Sequence, residues 1–219
     1  MSKRTVFLLA AFLAISSQGS AAGPLDRWSF RLSPGGVMPL GGQYNDTTKL
    51  IKVVSIGAGL TGGLRYKVSD YFYLGADYGL NWMQAKHDYR PFDYKEMGPA
   101  LNVMMLTVNS TFVLSTGFGI NPYLTLGAGL YPWRFSQRPL WGDPWPAPAD
   151  PTRTFAMNSF GLNTGLGAEK HVSSRLAVFV EVIYHYLFSR NPGRFGTDDF
   201  NEQDFLGLNI GLSFDLGKK

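Results

Sequence analysis

The stretch FLGLNIGLSFDL, Phe205 to Leu216, decides the fold. Leu206, Leu208, Ile210, Leu212, Phe214 and Leu216 occupy alternate positions, and Gly207, Asn209, Gly211, Ser213 and Asp215 stand between them. Successive side chains of an extended strand point to opposite faces, so this strand has one apolar face and one small or polar face. Such a strand lies half against something oily.

The same alternation recurs along the chain. Ser159 to Glu169 sets Phe160, Leu162, Leu166 and Ala168 against Ser159, Asn163, Gly165, Gly167 and Glu169. Tyr73 to Trp82 sets Leu74, Ala76, Tyr78, Leu80 and Trp82 against Gly75, Asp77, Gly79 and Asn81. Ile56 to Tyr66 does so again, with Gly57, Gly59, Thr61, Gly63 and Arg65 on the small face. Four noisier segments complete the set, at about Trp28–Pro39, Leu101–Leu114, Pro122–Phe135 and Leu176–Phe188. Leu101–Leu114 is the weakest, because its pattern turns Val103 and Met105 to the inner face.

Connection lengths alternate too. Ser69-Asp70, Ser115–Asn121 and Ser173-Ser174 mark tight turns, whereas Gly41–Lys49, Gln84–Ala100, Ser136–Thr154 and Ser189–Asp204 are long. Short turns on one side and long loops on the other are the habit of exported barrels, with the short turns periplasmic. With strand one running outward, Trp28, Tyr66, Tyr71, Tyr73, Tyr123 and Phe214 fall near the periplasmic end. Trp82, Trp133, Tyr184, Tyr186, Phe188 and Phe205 fall near the outer end. Aromatic rings with a polar tip favour the headgroup zone, so two girdles are expected.

Composition narrows the alternatives. Residues 1–22 read as a signal peptide: Lys3 and Arg4, an apolar run from Val6 to Ile15, then the small-residue site Ser20-Ala21-Ala22. That run rises about 15 Å as a helix, too short for a membrane anchor. Residues 23–219 form one domain with no second apolar run of helix-spanning length. There is no cysteine, which excludes disulfides and thiolate sites, and 26 glycines weigh against long helices. The formal charge is only +4 and no basic stripe is present, so a nucleic-acid partner is not expected.

These features predict an all-β chain closed into an eight-stranded antiparallel up-and-down transmembrane β-barrel. In hydrocarbon every backbone N–H and C=O must pair within the protein, and a sheet achieves this only when closed. A barrel of this size has its lumen filled by side chains. Here the glycine-rich inner faces leave space for Arg31, Arg65, Asp77, Glu169, Glu181 and Asp215. An unpaired charge there would cost several kcal/mol, so these groups are expected to form a structural charge network.

This combination of alternation, loop asymmetry and glycine-rich lumen resembles the small outer-membrane barrels of the OmpA/OmpX type and the broad OmpA-like β-barrel domain family. The resemblance covers essentially the whole mature chain and implies a place in a Gram-negative outer membrane. Its contacts would be membrane lipid, lipopolysaccharide and the outer-membrane assembly machinery. The last strand, Asn209-x-Gly211-x-x-Phe214-x-Leu216, resembles the C-terminal β-signal read by that machinery. It is followed by Gly217-Lys218-Lys219 where the common form ends on an aromatic residue.

Some barrels of this size are lipid A deacylases or palmitoyl transferases, whose catalytic groups would include a histidine. His87 lies in a long loop beside Asp88, and His185 shares the inner face with Glu181 about 13 Å away, beyond hydrogen-bond reach. His171-x-Ser173 resembles the deacylase arrangement but falls at a tight periplasmic turn, where that family's site faces the outer leaflet. No metal-ligand cluster or nucleotide fingerprint is present, and neither enzyme activity nor a cofactor is expected. The loop Ser136–Thr154, with Trp141, Trp145 and five prolines, is the candidate for binding an extracellular ligand. The expected role is therefore structural or surface-interacting, carried by a monomer. Two alternatives are a passive conduit for small apolar solutes, as in OmpW-like barrels, and a soluble lipocalin-like carrier. The first needs an apolar lumen with a lateral gap; the second needs the inverse placement of polar and apolar faces.

Overall fold

The computed structural model describes residues 25–45, 48–84, 86, 100–116, 119–136, 146–147, 150–154, 156–190 and 200–217. The signal-peptide segment 1–22, His87, Trp141 and Trp145 lie outside the described residues. Eight long strands carry the fold. They are β1 (Trp28–Gly41), β2 (Gly57–Ser69), β3 (Phe72–Gln84), β4 (Ala100–Val113), β5 (Asn121–Ser136), β6 (Ala156–His171), β7 (Leu176–Phe188) and β8 (Gln203–Asp215). Each pairs antiparallel with its sequence neighbours, and β1 pairs with β8, so the sheet closes into a barrel. The up-and-down topology expected from the alternation is the one observed.

Across the eight strands even-numbered side chains point outward and odd-numbered ones inward. In β8, Leu208, Ile210, Leu212 and Phe214 are exposed, whereas Phe205, Gly207, Gly211 and Ser213 are buried. Phe30 and Leu32 of β1, Leu124, Leu126 and Leu130 of β5, and Val178, Val180 and Val182 of β7 repeat the pattern. The outside is an apolar belt; the inside holds the polar groups. That excludes the lipocalin-like arrangement.

Ladder pairing is interrupted at two prolines. Between β1 and β8 the register runs from Ser29 to Leu32 and resumes at Gly35, skipping Ser33 and Pro34. Between β4 and β5 it skips the step at Pro132, from Val103↔Trp133 to Leu106↔Leu130. Proline has no N–H to donate, so each ladder loses a rung there, while the opposite ladders, β1–β2 and β5–β6, continue unbroken.

The two expected aromatic girdles need correction at four positions. Tyr123, Trp133 and Phe205 are inward and 2–3% exposed, and Tyr73 has the same inward parity. Alternation decides direction and distance along the strand decides height; these rings have the right height on the wrong face. Trp28, Tyr66, Phe214, Trp82, Tyr184, Tyr186 and Phe188 do lie on the outward face.

Candidate functional site

The lumen has two tiers. The tier nearer the short turns is polar. Arg31 on β1 donates from Nη2 to Tyr123 Oη at 2.8 Å, and its Nη1 lies 4.0 Å from Glu181 Oε2. Its guanidinium sits 3.4 Å over the Phe179 ring, a short cation–π contact. Arg65 on β2 lies 3.9 Å from Glu169 Oε2 and 5.3 Å from the Tyr123 ring centre, so Tyr123 stands between the two cations. Asp77 accepts from Asn109 Nδ2 at 2.6 Å, and Thr125 donates to Glu181 at 3.3 Å. Five strands thus bring Arg31, Arg65, Asp77, Glu169 and Glu181 into one interior belt. Asp215 shares the inner face but stands at the turn end, opposite Ser29.

Glycine makes the room. A Cβ at Gly167 would come 2.5 Å from Tyr123 Oη, and Gly63 faces the Asp77 carboxylate more closely still. A close approach of this kind is tolerated only without a side chain.

Above this belt stands a smaller polar group. Tyr131 Oη and His185 Nδ1 are 3.1 Å apart, and Asn163 Nδ2 donates to the same hydroxyl at 3.3 Å. The partner of His185 is therefore a tyrosine, not a carboxylate, and among the described residues no serine hydrogen-bonds to it. Trp133 Nε1 donates to Ser159 at 3.0 Å one step nearer the loops.

The tier at the loop end is apolar and capped. Val37, Met83, Leu101, Val103, Met105, Trp133, Phe135, Leu187 and Phe205 line it from the strands. Leu50 and Val53 enter from a short helix, α1 (Leu50–Val53), in the first long connection; Val54 follows, and Phe200 enters from the last. Leu50, Val53 and Phe200 are fully buried. Gln43 N donates to Asn201 O at 2.9 Å, and Lys86 N to Val53 O at 2.7 Å, tying the first loop to the last and to the second. Phe200 holds φ +53, which side chains rarely adopt; Ser189 Oγ fixes it by donating to its carbonyl at 2.6 Å.

Sequence reasoning missed this cap. Leu50-x-x-Val53-Val54 carries a helical i, i+3, i+4 spacing that would have revealed α1. Phe200, a lone aromatic in a long loop, leaves no periodic signal.

Comparison with known proteins agrees with this geometry. Neisserial surface protein A superposes with a TM-score of 0.60 at 13% identity, covering 86% of this chain and 96% of that one. OprG from Pseudomonas aeruginosa gives 0.50 at 14% identity, covering 86% and 95%. AlkL, solved in lipid bilayers, gives 0.50 at 13% identity, covering 90% and 92%. No curated protein matches the sequence. The family model for the outer membrane protein beta-barrel domain matches residues 7–214. The closed barrel with its apolar outer belt fits that match, and this chain belongs to that family, an outer-membrane β-barrel.

Proposed function

We propose that this barrel is a non-conducting and non-catalytic outer-membrane protein whose work is structural and surface-interacting, carried by the long loops held outside the cell. The observation that carries this reading is the capped lumen. Leu50, Val53, Val54 and Phe200 fill the loop end, and the Arg31–Glu181 belt fills the space below. A solute moving along the axis would have to displace both. What remains for contact with the outside is the loop surface, including the Ser136–Thr154 segment with Trp141 and Trp145. In planar bilayers the purified barrel should give no steady conductance above the lipid background. Defined single-channel steps from the intact protein would reject the reading. Deleting residues 140–149 should remove a surface-binding phenotype without altering assembly.

A second reading, a passive conduit for small apolar solutes, draws support from one feature. The apolar tier lies beside the β4–β5 step at Pro132, where the wall lacks a rung. Uptake of a small apolar solute into liposomes faster than through lipid alone would favour it over the first.

A further inference from the structure

Among the described residues of the eight strands, the outward positions carry three charged side chains: Arg134, Lys170 and Asp204. Asp204 accepts from Tyr184 Oη at 3.0 Å, and Lys170 lies at the turn end of β6. Arg134 is different. It sits at the loop end of β5, directly opposite Asn102 on β4 and Ala156 on β6, while Asn158 stands diagonally across on β6. Trp82 on β3 is the next cross-strand neighbour beyond Asn102.

Asn102, Arg134, Ala156 and Asn158 border an open cleft of about 390 Å³ at the loop end of the wall, with Met104 and Pro132 on its outward side and Trp133 and Met157 behind it on the core side. Trp82 Nε1, Asn102 Oδ1 and Arg134 Nε are all shielded from solvent and have no hydrogen-bond partner in the protein. A cation on the lipid-facing wall is costly to leave unpaired, and here neighbouring polar atoms share the want of a partner. Guanidinium matches phosphate oxygens in a two-pronged fork, asparagine adds amide donors, and an indole N–H suits the headgroup zone.

We propose that the Asn102–Arg134–Asn158 cleft is a binding site for the phosphorylated headgroup of an outer-leaflet lipid, with Met104 and Pro132 against the start of an acyl chain. The site holds the barrel at a fixed depth in the leaflet that its long loops cross. This assignment rests on the loop end facing out of the cell, and not on what the loops bind.

The test is native mass spectrometry of the folded barrel in detergent, with diphosphorylated lipid A, the same lipid stripped of phosphate, and inorganic phosphate as separate probes. The intact protein should retain the phosphorylated lipid and hold the stripped one much less. Arg134→Gln should weaken retention by roughly tenfold or more, since a charge-assisted pair is lost. Asn102→Ala with Asn158→Ala should weaken it severalfold, and Lys170→Gln should leave it unchanged. Gel mobility of unboiled samples reports folding of each variant separately, so loss of the barrel is distinguishable from loss of the site. Equal retention by Arg134→Gln, or equal retention of the stripped lipid, overturns the site. Release of the lipid by an equal concentration of inorganic phosphate overturns its assignment to a lipid.

Discussion

Phe200 lies against Trp133, ring centres 5.1 Å apart and planes 29° apart, so a residue of the last loop is stacked on the inner wall of β5. Tyr44 and Phe135 pack on the same ring at 5.4 and 5.7 Å. Two loops and one strand therefore meet on a single side chain, which makes the cap part of the barrel core and not a flap resting on it.

Phe200→Ala should open a cavity at the centre of that cluster. Truncating a fully buried phenylalanine costs about 3 kcal/mol or more, and alanine, which keeps its Cβ, gains nothing back from the positive φ. The urea midpoint of the folded barrel should fall, and intermittent conductance should appear. An unchanged midpoint would show that the cap contributes no core packing.

The pair Arg31 and Glu181 invites a double-mutant cycle. Arg31→Met leaves a buried carboxylate without its cation and should cost about 3 kcal/mol; Glu181→Leu should cost a similar amount. Together they remove both charges, so the double variant should lose clearly less than the sum of the two. Additive losses would mean that the 4.0 Å approach carries no coupling.

Two glycines separate close packing from backbone effects. Gly167 faces Tyr123, whose hydroxyl accepts from Arg31, so Gly167→Ala should cost about 1–3 kcal/mol through overpacking. Gly62 is outward with 3.8 Å to the nearest atom, and Gly62→Ala should be neutral or slightly stabilising. Thermal unfolding of the two variants side by side gives the answer.

Most of the barrel was legible because its signal is repetitive. In Leu206–Leu216 each apolar residue reinforces the same parity, and seven neighbouring strands with matching parity leave one way to close. Asn209, Gly211, Phe214 and Leu216 fall on or beside β8 for that reason. Direction was harder where a ring is large enough for either face. Trp133 and Phe205 fill the apolar tier although their height alone suggested a girdle. The cap was invisible for another reason. Phe200 gains its place from Trp133, Phe135 and Tyr44, which are distant in sequence, and no local pattern encodes such a meeting. Arg134 escaped attention because a single charge at a strand end looks like any loop residue until its neighbours are known.

At the turn end, Lys67 Nζ lies 2.7 Å from Asp70 Oδ1. The hydrogen bond and charge of Lys67 hold the Asp70 carboxyl below its ordinary value near 3.8. A group whose folded pKa is depressed contributes stability above its unfolded pKa and loses it as pH falls through the folded one. Asp70 is largely exposed, so solvent screening keeps the contribution to about 0.5 kcal/mol or less. Asp70→Asn should therefore lower the unfolding midpoint slightly at pH 7, and the difference should fade as pH falls through the depressed value of the Asp70 carboxyl. A difference that persists in acid would point to the backbone of the turn instead.

Pro34 sets two effects against each other. The carbonyl of Trp28 accepts from Leu216 at 2.9 Å on the β8 side, while that of Arg27 accepts from Lys67 on the β2 side. By that alternation the backbone nitrogen of Pro34 faces β8, and the register places Ile210 opposite it. Pro34→Ala supplies the missing N–H to Ile210, worth about 1 kcal/mol in water and more where no water competes. It also frees the unfolded chain, which costs about 0.4–1 kcal/mol. The bond should win, because hydrocarbon offers the Ile210 carbonyl no other donor. Unfolding of the variant from thin-bilayer vesicles should need more urea than the parent, and any uptake of apolar solute through the β1–β8 wall should slow. A lower urea requirement would mean that the Ile210 carbonyl already has a donor, and that the break at Pro34 is no weak point in the wall.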